Sequence, residues 1–463
     1  MKLIERVIEY GLYLLVFLLP LQTRLIVKQG YLNGWPNEFS TISIYAIDIL
    51  LIALLILQTV RYFATLKRDD TAEIKLPRYW WALAVFELIT FISIFVASDK
   101  AIAIYNYLHL LLAIGVFWLI ISTQYKKEKL ILVFIASSII QALLGAWQFL
   151  AQSTFANKWL GLATHPIQEA GTAVVINGTG ERILRAYGTL DHPNIFGGLM
   201  VIALLLLLAY FVKPFLTSPP SASQAIALRA GQPSPCLPDR QASEGEGAQA
   251  RTVNIVLYYS SLIILTCGLF FSFSRAAWIS FFVSYIFLFS LALIKKDKAY
   301  LKLLLSSATV LLLVVSALIF KYNDLVLNRM SEKVYTESKS INERMEGNKL
   351  SNEIIKDNWL LGVGVGSYGA TIKNRYSNLD YQLYQPVHNV YLLVVSELGI
   401  FGLISLILFI ILVISTINRA ENKYLTVLPV SIVLLFFFDH WLLSLHYGII
   451  LFFVVLSSSI KKE

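Results

Sequence analysis

Six histidines are spread through 463 residues, and one of them, His388, stands where proton chemistry is possible. It opens the run His388-Asn389-Val390-Tyr391-Leu392-Leu393, which continues through Ser396-Glu397-Leu398-Gly399 to Gly402. A long polar stretch, about 321–387, ends here, and an apolar helix begins. An imidazole at that boundary can exchange protons near neutral pH while a hydrophobic wall screens one side of it. The same position also suits a helix-start histidine that merely bonds a neighbouring loop.

Four other polar groups share its character: Arg185-Ala186-Tyr187-Gly188-Thr189-Leu190-Asp191-His192-Pro193-Asn194, then Ser272-Phe273-Ser274-Arg275, then Asn342-Glu343-Arg344, and finally Asp439-His440-Trp441 with His446. Arg275 sits in a turn of a few residues between two apolar runs, so its guanidinium must lie at or just inside the membrane interface. A charge there is costly unless it snorkels or meets an anion. The planar guanidinium donates two hydrogen bonds at once and so suits phosphate. Three separated arginines (Arg185, Arg275, Arg344) with a histidine on one membrane face suggest a diphosphate clamp beside a general base. His192 and His440 are rivals for the base, since both fall on the same face.

Other motifs are weaker. Gly364-Val365-Gly366-Ser367-Tyr368-Gly369 fits G-x-G-x-x-G but follows no strand of a βαβ unit, so it reads as a tight turn. No H-E-x-x-H or other metal-ligand spacing links the histidines, and no Asp-x-Asp pair of a metal-dependent glycosyl transfer occurs in the outer loops. No metal or cofactor is expected. Glu87 and Glu397 are ionisable groups at membrane depth that line a cavity or bond neighbouring helices. Glu397 lies nine residues beyond His388 and so points to the other side of the helix.

The elements that must position these groups are membrane helices. Hydrophobic residues make up 57% of the chain and charged ones 14%, with a mean hydropathy of +0.67. A soluble domain carries about 25% charge. Repeated, non-alternating apolar runs of about 20 residues mean an all-α polytopic membrane protein and exclude a β-barrel. We read about twelve spans, near 7–23, 41–60, 79–98, 103–122, 130–151, 195–213, 253–273, 276–294, 300–320, 388–415, 425–441 and 446–460. The first is expected to be an uncleaved span, because no Ala-x-Ala pattern follows it. Lysines and arginines collect in alternate connections, including Lys126, Lys127, Lys129, Lys295, Lys296, Lys298 and the tail Lys461-Lys462. That asymmetry predicts cytoplasmic N- and C-termini. The net charge of +9 thus marks membrane orientation and implies no nucleic acid.

Two long segments, 152–194 and 321–387, are then extracytoplasmic. Within the second, Met345, Leu350, Ile354, Ile355, Trp359 and Leu360 have the spacing of an amphipathic helix over 342–361 lying on the membrane surface. The cytoplasmic stretch 214–251 holds six of the 13 prolines, with no aromatic from Leu216 to Leu257, a composition that predicts a disordered linker. Cys236 and Cys267 are not expected to pair.

Taken together, these segments resemble the O-antigen ligase and O-antigen polymerase family of bacterial membrane glycan transferases, with a Wzy-type core. The resemblance rests on Arg185-x-x-Gly188 with His192-Pro193-Asn194, Ser274-Arg275, Arg344, the run from Gly362 to Tyr368, and His388-Asn389 with Glu397-x-Gly399 and Gly402. It covers the chain from about residue 185 onward; the first five spans match only in number and hydrophobicity. A Trp common in the family soon after the residue matching Arg344 is replaced here by Gly347-Asn348-Lys349-Leu350. The resemblance implies transfer of a glycan from an undecaprenyl-diphosphate carrier to an acceptor hydroxyl, on the outer face of the cytoplasmic membrane, without metal or nucleotide sugar. Catalysis would fall to His388. Substrate binding would fall to Arg185, Arg275, Arg344, Asn389, His192 and Asn194, with Asp439 and His440 as further candidates. The acceptor is a glycan, lipid or protein, and ligase and polymerase share these motifs. A bicarbonate-type secondary transporter and an envelope scaffold are the alternatives of other classes. A transporter would place its charges near the bilayer midplane and show inverted repeats, whereas these charges cluster at one face.

Overall fold

The computed structural model describes residues 2–66, 76–210, 239–331, 335–419 and 422–460. The chain is an all-α polytopic membrane protein. Helix α1 (Lys2–Leu18) leads into small antiparallel ribbons, β1 (Arg24–Lys28) paired with β4 (Ile42–Tyr45), and between them β2 (Tyr31–Leu32) paired with β3 (Trp35–Pro36). Then come α2 (Ala46–Leu66), α3 (Arg78–Val96), α4 (Lys100–Ser122) and α5 (Lys127–Ala151), a hairpin of β5 (Val174–Ile176) and β6 (Arg182–Leu184), and α6 (Pro193–Tyr210). Helices α7 (Asp239–Phe271), α8 (Arg275–Ile294) and α9 (Lys298–Lys321) follow. A cap between α9 and the next long helix holds α10 (Asn323–Met330), α11 (Tyr335–Asn358) and α12 (Tyr368–Arg375). The chain closes with α13 (Val390–Ile417), α14 (Val427–Phe436), the single turn α15 (Trp441–Ser444) and α16 (His446–Ile460).

Among the described residues nine helices are long and apolar enough to cross a bilayer: α2 to α9 and α13. The remaining three of the expected spans are shorter, α1 with 17 residues, α16 with 15, and α14 with the 3₁₀ turn before it. They fall below the roughly 20 residues that a perpendicular span needs. Ile42–Tyr45, read as the start of a span, is instead a strand, because alternating Ile42 and Ile44 suit pairing with β1. Residues 239–251, read as the end of the linker, are the first turns of α7. Ala, Gln, Glu and Arg there are good helix formers joined to an apolar span. The rest of that predicted linker, 214–238, lies outside the described residues.

Helix α6 is the axis of the bundle. Every residue of it is buried, against α5, α7, α8 and α14. Pro193 begins it at no cost, since the first turn's N–H groups have no intrahelical partner. Gly197 lets the Ser272–Ala277 turn approach, and Gly198 accepts the Trp441 ring. Helix α13 is interrupted at Gly399, whose φ of 70° and ψ of −174° are non-helical. The loop 359–366 fills the break. Trp359 O accepts from Ile400 N (2.8 Å), Ser396 O from Val363 N (2.9 Å) and Glu397 O from Gly364 N (2.9 Å). The Gly364–Gly369 run is thus a tight turn, with positive φ at Gly364 and Gly366, that leads into α12 at Tyr368.

The cap has its own small core, Leu350, Ile354, Tyr368, Ile372, Leu383, Tyr384, Val387 and Leu393, joined by Leu32 from the first ribbons. This corrects the surface helix read over 342–361. Leu350 and Ile354 are buried against protein, Ser351 Oγ bonds Ser396 Oγ of α13 (2.8 Å), and the helix ends at Asn358. Met345, Trp359 and Leu360 stay exposed. Leu350 and Ile354 of the stripe therefore pack on the cap and α13.

Candidate functional site

The polar residues converge where α6, α8 and α13 begin. Segment 185–194 is held from below by α5. Gln148 Oε1 accepts from Tyr187 N (3.0 Å) and Gly188 N (2.8 Å), and Gln141 Oε1 accepts from Thr189 N (2.8 Å). Gly188, at φ 63°, makes the turn these bonds require. Asn389 caps α13, its Oδ1 accepting from Leu392 N (3.1 Å), which fixes His388 just outside the helix. The apolar α14 ends at Phe436, and the turn after it delivers Asp439 and His440 beside His388.

The centre of the group is the buried Asp439 carboxylate. Its Oδ1 lies 3.3 Å from His388 Nδ1 and accepts from His440 N (2.9 Å), while its Oδ2 accepts from Asn194 Nδ2 (3.1 Å). Asn194 Oδ1 in turn accepts from Arg185 Nη2 (2.9 Å), and Arg185 Nε donates to Ser272 O (2.8 Å). Burial alone would raise the Asp439 pKa. The His388 hydrogen bond and the electrostatic pull of the neighbouring imidazoles and of Arg344 outweigh it and hold the carboxyl well below its ordinary value. An ionised carboxylate can only accept, so His388 Nδ1 carries the proton and the lone pair falls on Nε2. The His388 side chain is 35% exposed, against 9% for Asp439, so an oriented imidazole reaches solvent from a buried anchor.

His440 is enclosed. Phe39 packs edge-on against its ring, Ser444 Oγ lies 2.6 Å from its Nδ1, and the His388 ring is 5.1 Å away. Burial pushes its imidazole down to about 3, despite Asp439. His192 Nδ1 accepts from Asn194 N (3.1 Å). Burial and then the Arg185 guanidinium lower His192 to about 3.

Of the residues singled out in the sequence, His388, Asp439, His440, Asn194, Arg185, His192 and Asn389 thus form one neighbourhood. Half-buried Arg344 of α11 is close enough to act electrostatically on Asp439, His192 and His440. Arg185 is buried and bonded to protein groups, which makes it part of the framework around Asp439. Arg275 sits at the first position of α8, next to the Ser274 cap, and donates from Nη1 to Arg329 O (3.4 Å). Buried Arg329, whose Nε donates to Phe273 O (2.9 Å), was not singled out in the sequence, and neither was Phe39. Arg329 is one of many basic residues in a polar loop, and Phe39 belongs to the ribbons before α2, where no motif pointed.

Linear spacing gave no metal set, yet folding assembles two His₂Asp groups among the described residues, His388–Asp439–His440 and Asp48–His109–His446. In the first, Asp439 Oδ1 accepts from His440 N and Oδ2 from Asn194 Nδ2; in the second, Asp48 Oδ2 accepts from Tyr45 N (3.1 Å).

Residues 260–407 match the O-antigen ligase family model. That stretch contains Arg275, Arg344 and His388; Arg185, His192, Asn194, Asp439 and His440 lie outside it. No curated protein matches the chain.

Proposed function

We propose, from the match of residues 260–407 to the O-antigen ligase family model, that the chain moves a glycan from an undecaprenyl-diphosphate carrier to an acceptor hydroxyl. The observation that carries this reading is the contact of His388 Nδ1 with the ionised Asp439 (3.3 Å) at the outer end of apolar helices. It leaves Nε2 as a base directed away from its anchor. In the step, Nε2 takes the proton of the acceptor hydroxyl as that oxygen bonds the anomeric carbon. The carbon's bond to the diphosphate breaks, and the lipid diphosphate leaves with the electron pair. Arg344 and Arg275, with the α8 N-terminus, neutralise the charge growing on that leaving group. Asn389 and His192 border the acceptor side. Ligase and polymerase differ only in whether the hydroxyl belongs to another lipid or protein or to a growing glycan, and the same base serves both. The reaction face is the outer one, with both termini cytoplasmic.

The test separates binding from chemistry in purified protein. His388→Ala should bind the lipid-diphosphate glycan as the parent does and lose transfer by about 10²–10⁴-fold, the usual share of acid–base catalysis. Retained transfer in His388→Ala, with loss in His192→Ala or His440→Ala instead, would overturn the assignment of the base.

A further inference from the structure

The second His₂Asp group shares no residue with the one above. Asp48 comes from the first turn of α2, His109 from α4 and His446 from the start of α16. All three are buried. Asp48 Oδ1 lies 2.6 Å from His446 Nε2, and Oδ2 lies 3.5 Å from His109 Nε2. Among the described residues the ion-pair partners of Asp48 are these two imidazoles. Arg24, the nearest guanidinium to act on His446, is tied by both terminal nitrogens to Glu38. A buried carboxylate needs a positive partner.

We infer that Asp48, His109 and His446 form a divalent-cation site, of zinc type, that ties α2, α4 and α16 together. Two imidazole nitrogens and one carboxylate are a donor set suited to zinc. Tetrahedral ligands at 2.0–2.1 Å from zinc stand roughly 3.3 Å apart. The Asp48–His109 separation is close to that, the Asp48–His446 pair would have to open, and the three ligand atoms all lie within 4.8 Å of one another. The rings are held in place beforehand. Tyr45 stacks on His446 with centroids 3.7 Å apart and planes 2° from parallel, and Tyr105 stands edge-on to His109 at 4.3 Å. A cavity of about 100 Å³, lined by His109 and His446 among others, adjoins the group and has room for the water that would complete the shell.

The test uses the full-length protein in detergent, stripped with a chelator and then titrated with zinc chloride. Expected are one tightly bound zinc per chain by elemental analysis, a higher melting temperature with zinc, retention of both in His388→Ala, and loss of both in Asp48→Asn and in His109→Gln. No stoichiometric zinc on the parent protein overturns the inference. So does zinc that survives both substitutions. Should those variants fail to fold, X-ray absorption on zinc-loaded His388→Ala protein decides. Two imidazole ligands support the site, and fewer refute it.

Discussion

At the scale of single residues, the candidate site consists of one reachable imidazole and two that the fold keeps neutral. His192 and His440 are held near 3 by burial, so neither changes charge between about pH 5 and 8, where an ordinary histidine titrates. The acid limb of the pH–rate profile should therefore keep its midpoint in His440→Gln, whatever happens to its height. A midpoint displaced by about one unit, equivalent to roughly 1.4 kcal/mol, would assign the titration to His440. The same burial predicts a stability slope. The folded pKa of His440 lies below the unfolded value of about 6.5, so only the unfolded chain takes up the proton as the pH falls from there towards 3. Melting temperature should fall with acidification over that window, and less steeply in His440→Gln. An unchanged slope in the variant would contradict the burial argument. Sequence reading reached His388, Asp439 and His440 because each stands at a helix boundary. It could not reach the bonds among them, because 51 residues separate His388 from Asp439 and 245 separate Asn194 from it.

At the scale of elements, the interruption of α13 determines how the cap sits. The loop 359–366 bonds the backbone of residues 396–400, and Gly399 and Gly362 allow this, since a Cβ added at Gly399 would meet the Leu360 carbonyl and one at Gly362 the Glu397 carbonyl. Gly399→Ala should cost about 1–3 kcal/mol from the backbone conformation and more from that clash. It is read as a clear fall in melting temperature with faster proteolysis of the cap; an unchanged melting temperature would mean the loop undocks freely. Apolar length made the spans legible, and charge placement marked their ends. The ribbons before α2 escaped because Ile42–Tyr45 is continuous in hydrophobicity with the helix it precedes. The cap helix was legible as amphipathic, but periodicity gives a face and not its partner, so the packing of Leu350 and Ile354 on protein was not legible.

At the scale of the whole molecule, the proposed reaction requires the cap and the His388 group to face away from the cytoplasm. With Cys236 and Cys267 replaced, Asn378→Cys should react with a membrane-impermeant maleimide on intact cells, and Lys298→Cys only after permeabilisation. Both positions are exposed, so the reverse pattern would invert the orientation and remove the site from the side where the carrier-linked glycan is expected. The full enclosure of α6 has a consequence for how such a chain is made. Its sequence enters the bilayer before α7, α8 and α14, the later helices packed around it, have left the ribosome. On arrival α6 must be wetted by acyl chains on faces that end up covered by protein. Maturation therefore includes squeezing lipid away from a central helix. Because lipid is as apolar as the Leu-rich surface it leaves, that late step must be driven by close packing at Gly197 and Gly198 and not by hydrophobicity.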